Sequence, residues 1–120
     1  MRASRFPAAV YRHGSEPDPR FSLANERTFL AWIRTALGML AAGVALEVLG
    51  LDIAESMRIA ASLILIHSGT VLPLIAWWEW GRAERALRNS DPLPGSVMSL
   101  FVGLVVAVVG LVLLGGIYTR

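Results

Sequence analysis

The chain has 120 residues, of which 55% are hydrophobic and 17% charged. That balance is too apolar for a soluble domain of this length and points to a protein that lives in a bilayer. The absence of cysteine excludes disulfides and thiolate metal sites, and a formal charge of +2 says less than where the arginines, the only basic residues besides two histidines, are placed.

Residues 1–20 form a polar arm holding Pro7, Gly14, Pro17 and Pro19 together with Arg2, Arg5, Arg12 and Arg20. Its composition predicts mostly irregular chain, and it lacks the apolar run of a secretory signal. Residues 21–118 then hold three apolar segments, at about 28–51, 57–80 and 95–118. Each is long enough to cross a hydrocarbon core of about 30 Å as a helix, the form in which all backbone polar groups are satisfied within the segment. The fold class expected is therefore all-α, with three transmembrane helices.

Arginine placement sets the expected orientation. Arg2, Arg5, Arg12, Arg20 and Arg27 precede or open the first span, and Arg82, Arg85 and Arg88 follow the second; only Arg58 and Arg120 lie on the other side. Positive-inside bias then puts the N-terminus in the cytoplasm and the C-terminus outside. Trp32, Trp77, Trp78 and Trp80 fall at the inner ends of spans one and two, as an aromatic belt does.

The most informative stretch is FSLANERTFLAWIRT, Phe21 to Thr35, because it carries charge into a span. An arginine at a helix centre costs about 2.5–3.5 kcal/mol on insertion scales. Arg20, Arg27 and Arg34 recur every seven residues and so share one helix face if the helix starts early enough to include Arg20. Ala31, Gly38, Ala41 and Ala45 continue that face, which makes an arginine ladder running into a seam suited to close helix packing. Such a face should meet protein or water, and two readings of it stand side by side. In one, Arg20, Arg27, Arg34, Arg82 and Arg85 line an anion-binding vestibule or path. In the other, Arg27 snorkels and Arg34 pairs with Glu79 or Glu84 across the hairpin. Glu26 is a candidate counter-charge for a neighbouring chain, and Asn25 a candidate helix cap or partner of a loop backbone.

Glu84 and Arg88 have the spacing of a helical ion pair. His67, Ser68 and Thr70 put polar groups in mid-span; His67 with Glu47 is a candidate proton relay, against the commoner reading of an interhelical hydrogen bond. Pro73 predicts a kink. Gly103, Ala107 and Gly110 mark a packing face on the third span. The sequence has no metal-ligand spacing, nucleophile motif, phosphate loop or cofactor signature, so no enzyme, cofactor or nucleic-acid partner is expected.

The run FSLANERTFLAWIRTALGMLAAGVAL, Phe21 to Leu46, closely resembles the YidH family of small three-span bacterial inner-membrane proteins carrying a domain of unknown function. The stretch Arg82 to Leu87 and the pair Leu93-Pro94 look similar as well. The Asn25-Glu26-Arg27-Thr28-Phe29-Leu30-x-Trp32 core also looks like the membrane domain of the eukaryotic vacuolar transporter chaperone complex. That resemblance implies an oligomeric channel for polyphosphate with Arg20, Arg27 and Arg82 in the positions of lining residues. Arg34 departs from the vacuolar pattern. The chain has no counterpart of that complex's polymerase and inositol-phosphate-sensing domains, so what carries over is translocation by analogy, not synthesis. The expectation is a homo-oligomer in the bacterial inner membrane with an anion-binding or anion-conducting vestibule, for phosphate-rich polyanions, with anionic lipid as the partner in a non-conducting alternative. The alternatives are a non-conducting scaffold or lipid- and partner-binding subunit, and a proton-coupled transporter.

Overall fold

A computed structural model describes residues 5–120. It is helical: α1 (Ala8–Tyr11), α2 (Pro19–Val48), α3 (Glu55–Arg88) and α4 (Met98–Tyr118), with no strand among the described residues. The three long helices are each apolar and long enough to cross a membrane.

The helix ends follow from local chemistry. Asp18 caps α2, its carboxylate accepting from the Arg20 backbone N–H at 2.9 Å, and Pro19 occupies the first turn, where a missing N–H costs nothing. Gly50 follows the other end with φ +62°, a left-handed conformation that glycine adopts without strain. At the end of α3, Ser90 takes φ +58° while Asp91 N–H reaches the Ala86 carbonyl at 2.9 Å, closing the helix in a Schellman turn before Pro92 and Pro94. Pro73 lies inside α3, which continues through it as one element.

At 1.5 Å per residue α2 and α3 are about 45 and 51 Å long, against about 31 Å for α4. They therefore project beyond the bilayer as a paired stalk, in a molecule measuring 64 × 24 × 20 Å. α3 is central: it packs on α2 along one side and on α4 along another, and the backbones of α2 and α4 do not approach each other. The core, with Ala36, Met39, Leu46, Ala61, Leu65, Leu72, Ala76, Met98, Val105 and Val109, runs along these two seams.

The α2–α3 seam is tight at Gly43 and Gly69. A Cβ on Gly43 would stand 2.6 Å from Ile66 Cγ1, and one on Gly69 would stand 2.9 Å from the Ala36 carbonyl oxygen. Ser62 Oγ donates to the Gly43 carbonyl at 2.8 Å through this contact. The small residues expected to pack are elsewhere: Gly38, Gly103 and Gly110 have open space around the Cβ position. Within the chain, the close approach depends on two glycines that the seven-residue stripe does not contain.

The register fixes depth. Asn25 meets Trp80, Ala36 meets Gly69 and Gly43 meets Ser62, so Arg34 comes level with Val71. Ala54 N–H bonds the Gly116 carbonyl at 2.9 Å, which sets Met98 roughly level with Leu72 to Ile75. Arg34 thus lies only about one turn inside the α4 end of the apolar layer. Arg27 lies about 10 Å further out, with the tryptophans, and Arg20 about 10 Å beyond that.

Candidate functional site

The arginine ladder is a feature of α2 as folded. Because Asp18 and Pro19 start the helix ahead of Arg20, the condition for a continuous ladder is met. Counting 100° per residue from Asn25, Ala36 and Gly43, which face α3, Arg20, Arg27 and Arg34 fall about 180° away. All three are exposed, as are Ala31, Gly38 and Ala41, while Ala45 is half-buried. The ladder therefore looks away from its own hairpin, toward lipid or another chain.

Arg20 is held by Asp18, with Nη2 to Oδ2 at 2.8 Å and Nε contacts of 3.3 Å to both carboxylate oxygens. The Arg20 side chain, followed by its backbone N–H, keeps the Asp18 carboxyl below the ordinary carboxylate range. Arg27, Arg34 and Glu26 have no ion-pair partner among the described residues.

Neither acid considered for Arg34 meets it within the chain. Glu79 pairs with Arg82 at 3.4 Å. Glu84 is buried between α2 and α3, accepting from Ser22 Oγ at 2.7 Å and Asn25 Nδ2 at 3.2 Å. Asn25 Nδ2 also donates to the Trp80 carbonyl at 3.1 Å. Asn25 is thus a bridge into the body of α3 rather than a cap or loop ligand, and with Ser22 it forms a polar lock on the stalk. The signal for this lock was present as Ser22 and Asn25 one turn apart, on the face opposite the arginines.

The second arginine group, Arg82, Arg85 and Arg88, does not share one face. A three-residue step falls about 60° short of a turn, so Arg82, Arg85 and Arg88 fan across about 120° of α3. Arg88 points into the N-terminal arm, where its side chain is almost fully buried. Its Nη2 donates to the Tyr11 carbonyl at 2.7 Å, Nε to the His13 carbonyl at 2.8 Å and Nη1 to Glu16 at 3.1 Å. The Glu84–Arg88 helix pair is replaced by this clamp. Ser15 N–H bonds the Arg88 carbonyl at 2.9 Å, and Gly14, with φ +61°, lies so close to it that a Cβ would stand 2.0 Å from that oxygen. Arg5 pairs with Glu16 and stacks over Tyr11. The arm, irregular apart from the short α1, is therefore docked on α3, which its composition did not indicate; Arg2 lies outside the described residues.

Arg82 lies 4.7 Å over the Trp78 ring, and Arg85 is exposed with no acidic partner among the described residues. A cleft of about 380 Å³ separates α2 from α4 at this end, lined by Phe21, Phe29, Trp32, Glu79, Trp80 and Met98 among others. His67 and Glu47 are not brought together. His67 Nδ1 lies 2.7 Å from the Leu63 carbonyl of its own helix, whereas Glu47 pairs at 3.4 Å with Arg58, about 13 Å back along α3. Gly103, Ala107 and Gly110 are exposed on α4, opposite the Val105 and Val109 face that packs on α3. No cluster of metal-ligating side chains occurs among the described residues.

Residues 20–86 match the family model for a domain of unknown function, DUF202. The match covers α2 and most of α3, including the arginine ladder, and stops before Arg88 and α4. The chain is similar to the inner membrane protein YidH of Escherichia coli K12, at 45% identity over 108 residues, covering 88% of this chain and 93% of that protein. It is also similar to an uncharacterized protein of Mycobacterium tuberculosis H37Rv, at 42% identity over 100 residues, 82% of each chain. No solved structure matches it.

Proposed function

Because this chain belongs to the DUF202 family and is a multi-pass protein of the inner membrane, we propose that it assembles with copies of itself through α2. The assembly gathers Arg20, Arg27 and Arg34 into a basic cytoplasmic vestibule that binds or conducts anions. The role is one of binding or passage, not catalysis.

The observation that carries this reading is the pairing of charge and small side chains on one outward face of α2. Depth alone would not suffice. One turn inside the apolar layer, the Arg34 guanidinium can snorkel to the headgroups at modest cost. Snorkelling leaves unexplained why Ala31, Gly38 and Ala41 share that face, since lipid has no use for a groove but a second helix does. A closed oligomer would also repeat the unpaired Arg27 and Arg34 around one axis, concentrating positive potential where a polyanion would enter. Glu26, beside Arg27 at nearly the same depth, is the counter-charge available between copies.

The test uses the lack of native cysteine. Gly38→Cys should form an intermolecular disulfide in membranes, whereas Leu74→Cys on α3 should not. Proteoliposomes holding the wild-type chain should then pass or retain anions in a manner lost in Arg27→Ala/Arg34→Ala. Crosslinking without any difference between wild type and the double variant would leave the scaffold reading; no crosslink at Gly38 would remove the vestibule altogether. The scaffold reading has its own support in the docked arm, where Arg88 serves the packing of the chain and not an anion.

A further inference from the structure

Arg82 and Arg85 occupy a saddle between two hollows. One, of about 280 Å³, lies against the α3–α4 connection and is lined by Ala86, Asn89, Asp91, Pro92 and Pro94 beside the two arginines. The other, of about 200 Å³, lies beneath the arm and is walled by Pro7, Ala9, Val10, Trp77, Trp78 and Trp80. One side of the saddle is polar and the other aromatic, with both guanidinium groups on the divide.

The order of residues along α3 repeats this gradient at right angles to the membrane. Leu74 and Trp78 are largely exposed, at 71% and 60%, and Arg82 and Arg85 follow one and two turns later on nearly the same face. From the register, Leu74 lies at the edge of the apolar layer, Trp78 in the interfacial zone and the arginines at headgroup height. Arg82 is half-committed, at 3.4 Å from Glu79 and stacked over Trp78. Arg85 makes no ion pair among the described residues. Asp91 is the one carboxylate at the polar hollow's edge.

We infer that the Leu74–Trp78–Arg82–Arg85 face of α3, closed on one side by the docked N-terminal arm, binds an anionic phospholipid, with the phosphate on the two guanidiniums and the upper acyl chain along Trp78 and Leu74. A soluble phosphate or polyphosphate has no use for the aromatic wall or for the exposed apolar residues below it. A zwitterionic lipid fits the wall but leaves Arg85 without net charge compensation. The arm contributes shape rather than charge: Phe6 stacks on Trp77 with ring centroids 6.3 Å apart, and the Arg88 clamp fixes Pro7 to Val10 as the far wall. The site shares no residue with the α2 ladder, so it stands whether or not the vestibule does.

The test is native mass spectrometry of the full chain released from membranes containing equal phosphatidylglycerol and phosphatidylcholine. The wild type should retain phosphatidylglycerol selectively. Arg85→Gln, which removes no ion pair or side-chain hydrogen bond among the described residues, should lower that retention about fivefold, the effect of one interfacial charge worth about 1 kcal/mol. Arg88→Met should lower it too, by freeing the arm, although Arg88 touches no lipid. Arg120→Gln, at the opposite end of the molecule, should leave it unchanged, which separates this site from a general loss of positive charge. Equal retention of the two lipids, wild-type retention in Arg85→Gln, or displacement by inorganic phosphate or polyphosphate at constant ionic strength would each overturn the assignment, the last in favour of a soluble-anion site.

Discussion

The polar lock between Ser22, Asn25 and Glu84 predicts a measurable coupling. Glu84 is a buried carboxylate with two neutral donors and no cation in contact. Asn25→Ala removes the 3.2 Å bond to Glu84 together with a bond to the Trp80 carbonyl. Helical carbonyls already accept from their own helix, so the second loss is small. Leaving a buried acceptor without its donor costs about 1–3 kcal/mol, and the Glu84 carboxyl keeps only Ser22, so a loss of about 1–3 kcal/mol is expected. Glu84→Gln should lose about 1 kcal/mol, because its amide oxygen can still accept from Asn25 and the Ser22 hydroxyl can turn to accept from the new N–H₂. The double variant should then fall short of the sum by about 1 kcal/mol or more. Reversible unfolding in mixed micelles by SDS titration, read by tryptophan fluorescence, measures all four corners. Additivity within about 0.5 kcal/mol would mean that Asn25 and Glu84 act independently and that the lock is not what joins the stalk.

Two further outcomes test other parts of the structure. Gly43→Leu should destabilise the single chain by about 1–3 kcal/mol through overpacking against Ile66, while Gly38→Leu should leave the single chain unchanged and lower only the yield of oligomer. Equal damage from both in the monomer would contradict the α2–α3 register. The Asp18 carboxyl, held low chiefly by the Arg20 side chain, should titrate by carbon NMR below the ordinary value of about 3.9, and Arg20→Gln should move its midpoint back up. By linkage, its contribution to folding is complete above about pH 4 and lost as pH falls through the lowered value; a midpoint indifferent to Arg20→Gln would refute the pairing.

Much of the fold was legible because a bilayer leaves a chain few choices. Three apolar segments of sufficient length predict three helices, and Asp18-Pro19 states where the first begins. The rotation of α2 against α3 was not legible, because both helices are apolar on nearly every side. Hydropathy could not show that Arg34 faces away from α3 while Glu84 is taken by Ser22 and Asn25 and Glu79 by Arg82. Seven-residue spacing correctly put Arg20, Arg27 and Arg34 on one face, yet it drew attention to Gly38 when the close contacts are at Gly43 and Gly69. The docked arm was hidden for a different reason. Its bonds to Arg88 join backbone carbonyls 75 and 77 residues away, and carbonyls have no sequence signature. Gly14 was the available hint, a glycine whose left-handed backbone serves a contact and not a free turn.

The two seams of α3 also differ in kind. On the α2 side, backbone meets backbone at Gly43 and Gly69, with Ser62 bridging to a carbonyl and Asn25 to Glu84 beyond the bilayer. On the α4 side, contact rests mainly on aliphatic side chains such as Val105 and Val109, and polar tethers gather at one end, where Ala54 N–H bonds the Gly116 carbonyl and Arg120 pairs with Asp52. Interlocked backbones resist sliding, whereas smooth aliphatic surfaces permit small shear. The molecule is thus divided mechanically into a stiff two-helix strut and a single-helix slat fastened at its far end, so that displacement of the slat opens or narrows the 380 Å³ cleft without disturbing the arginine face on the strut's other side.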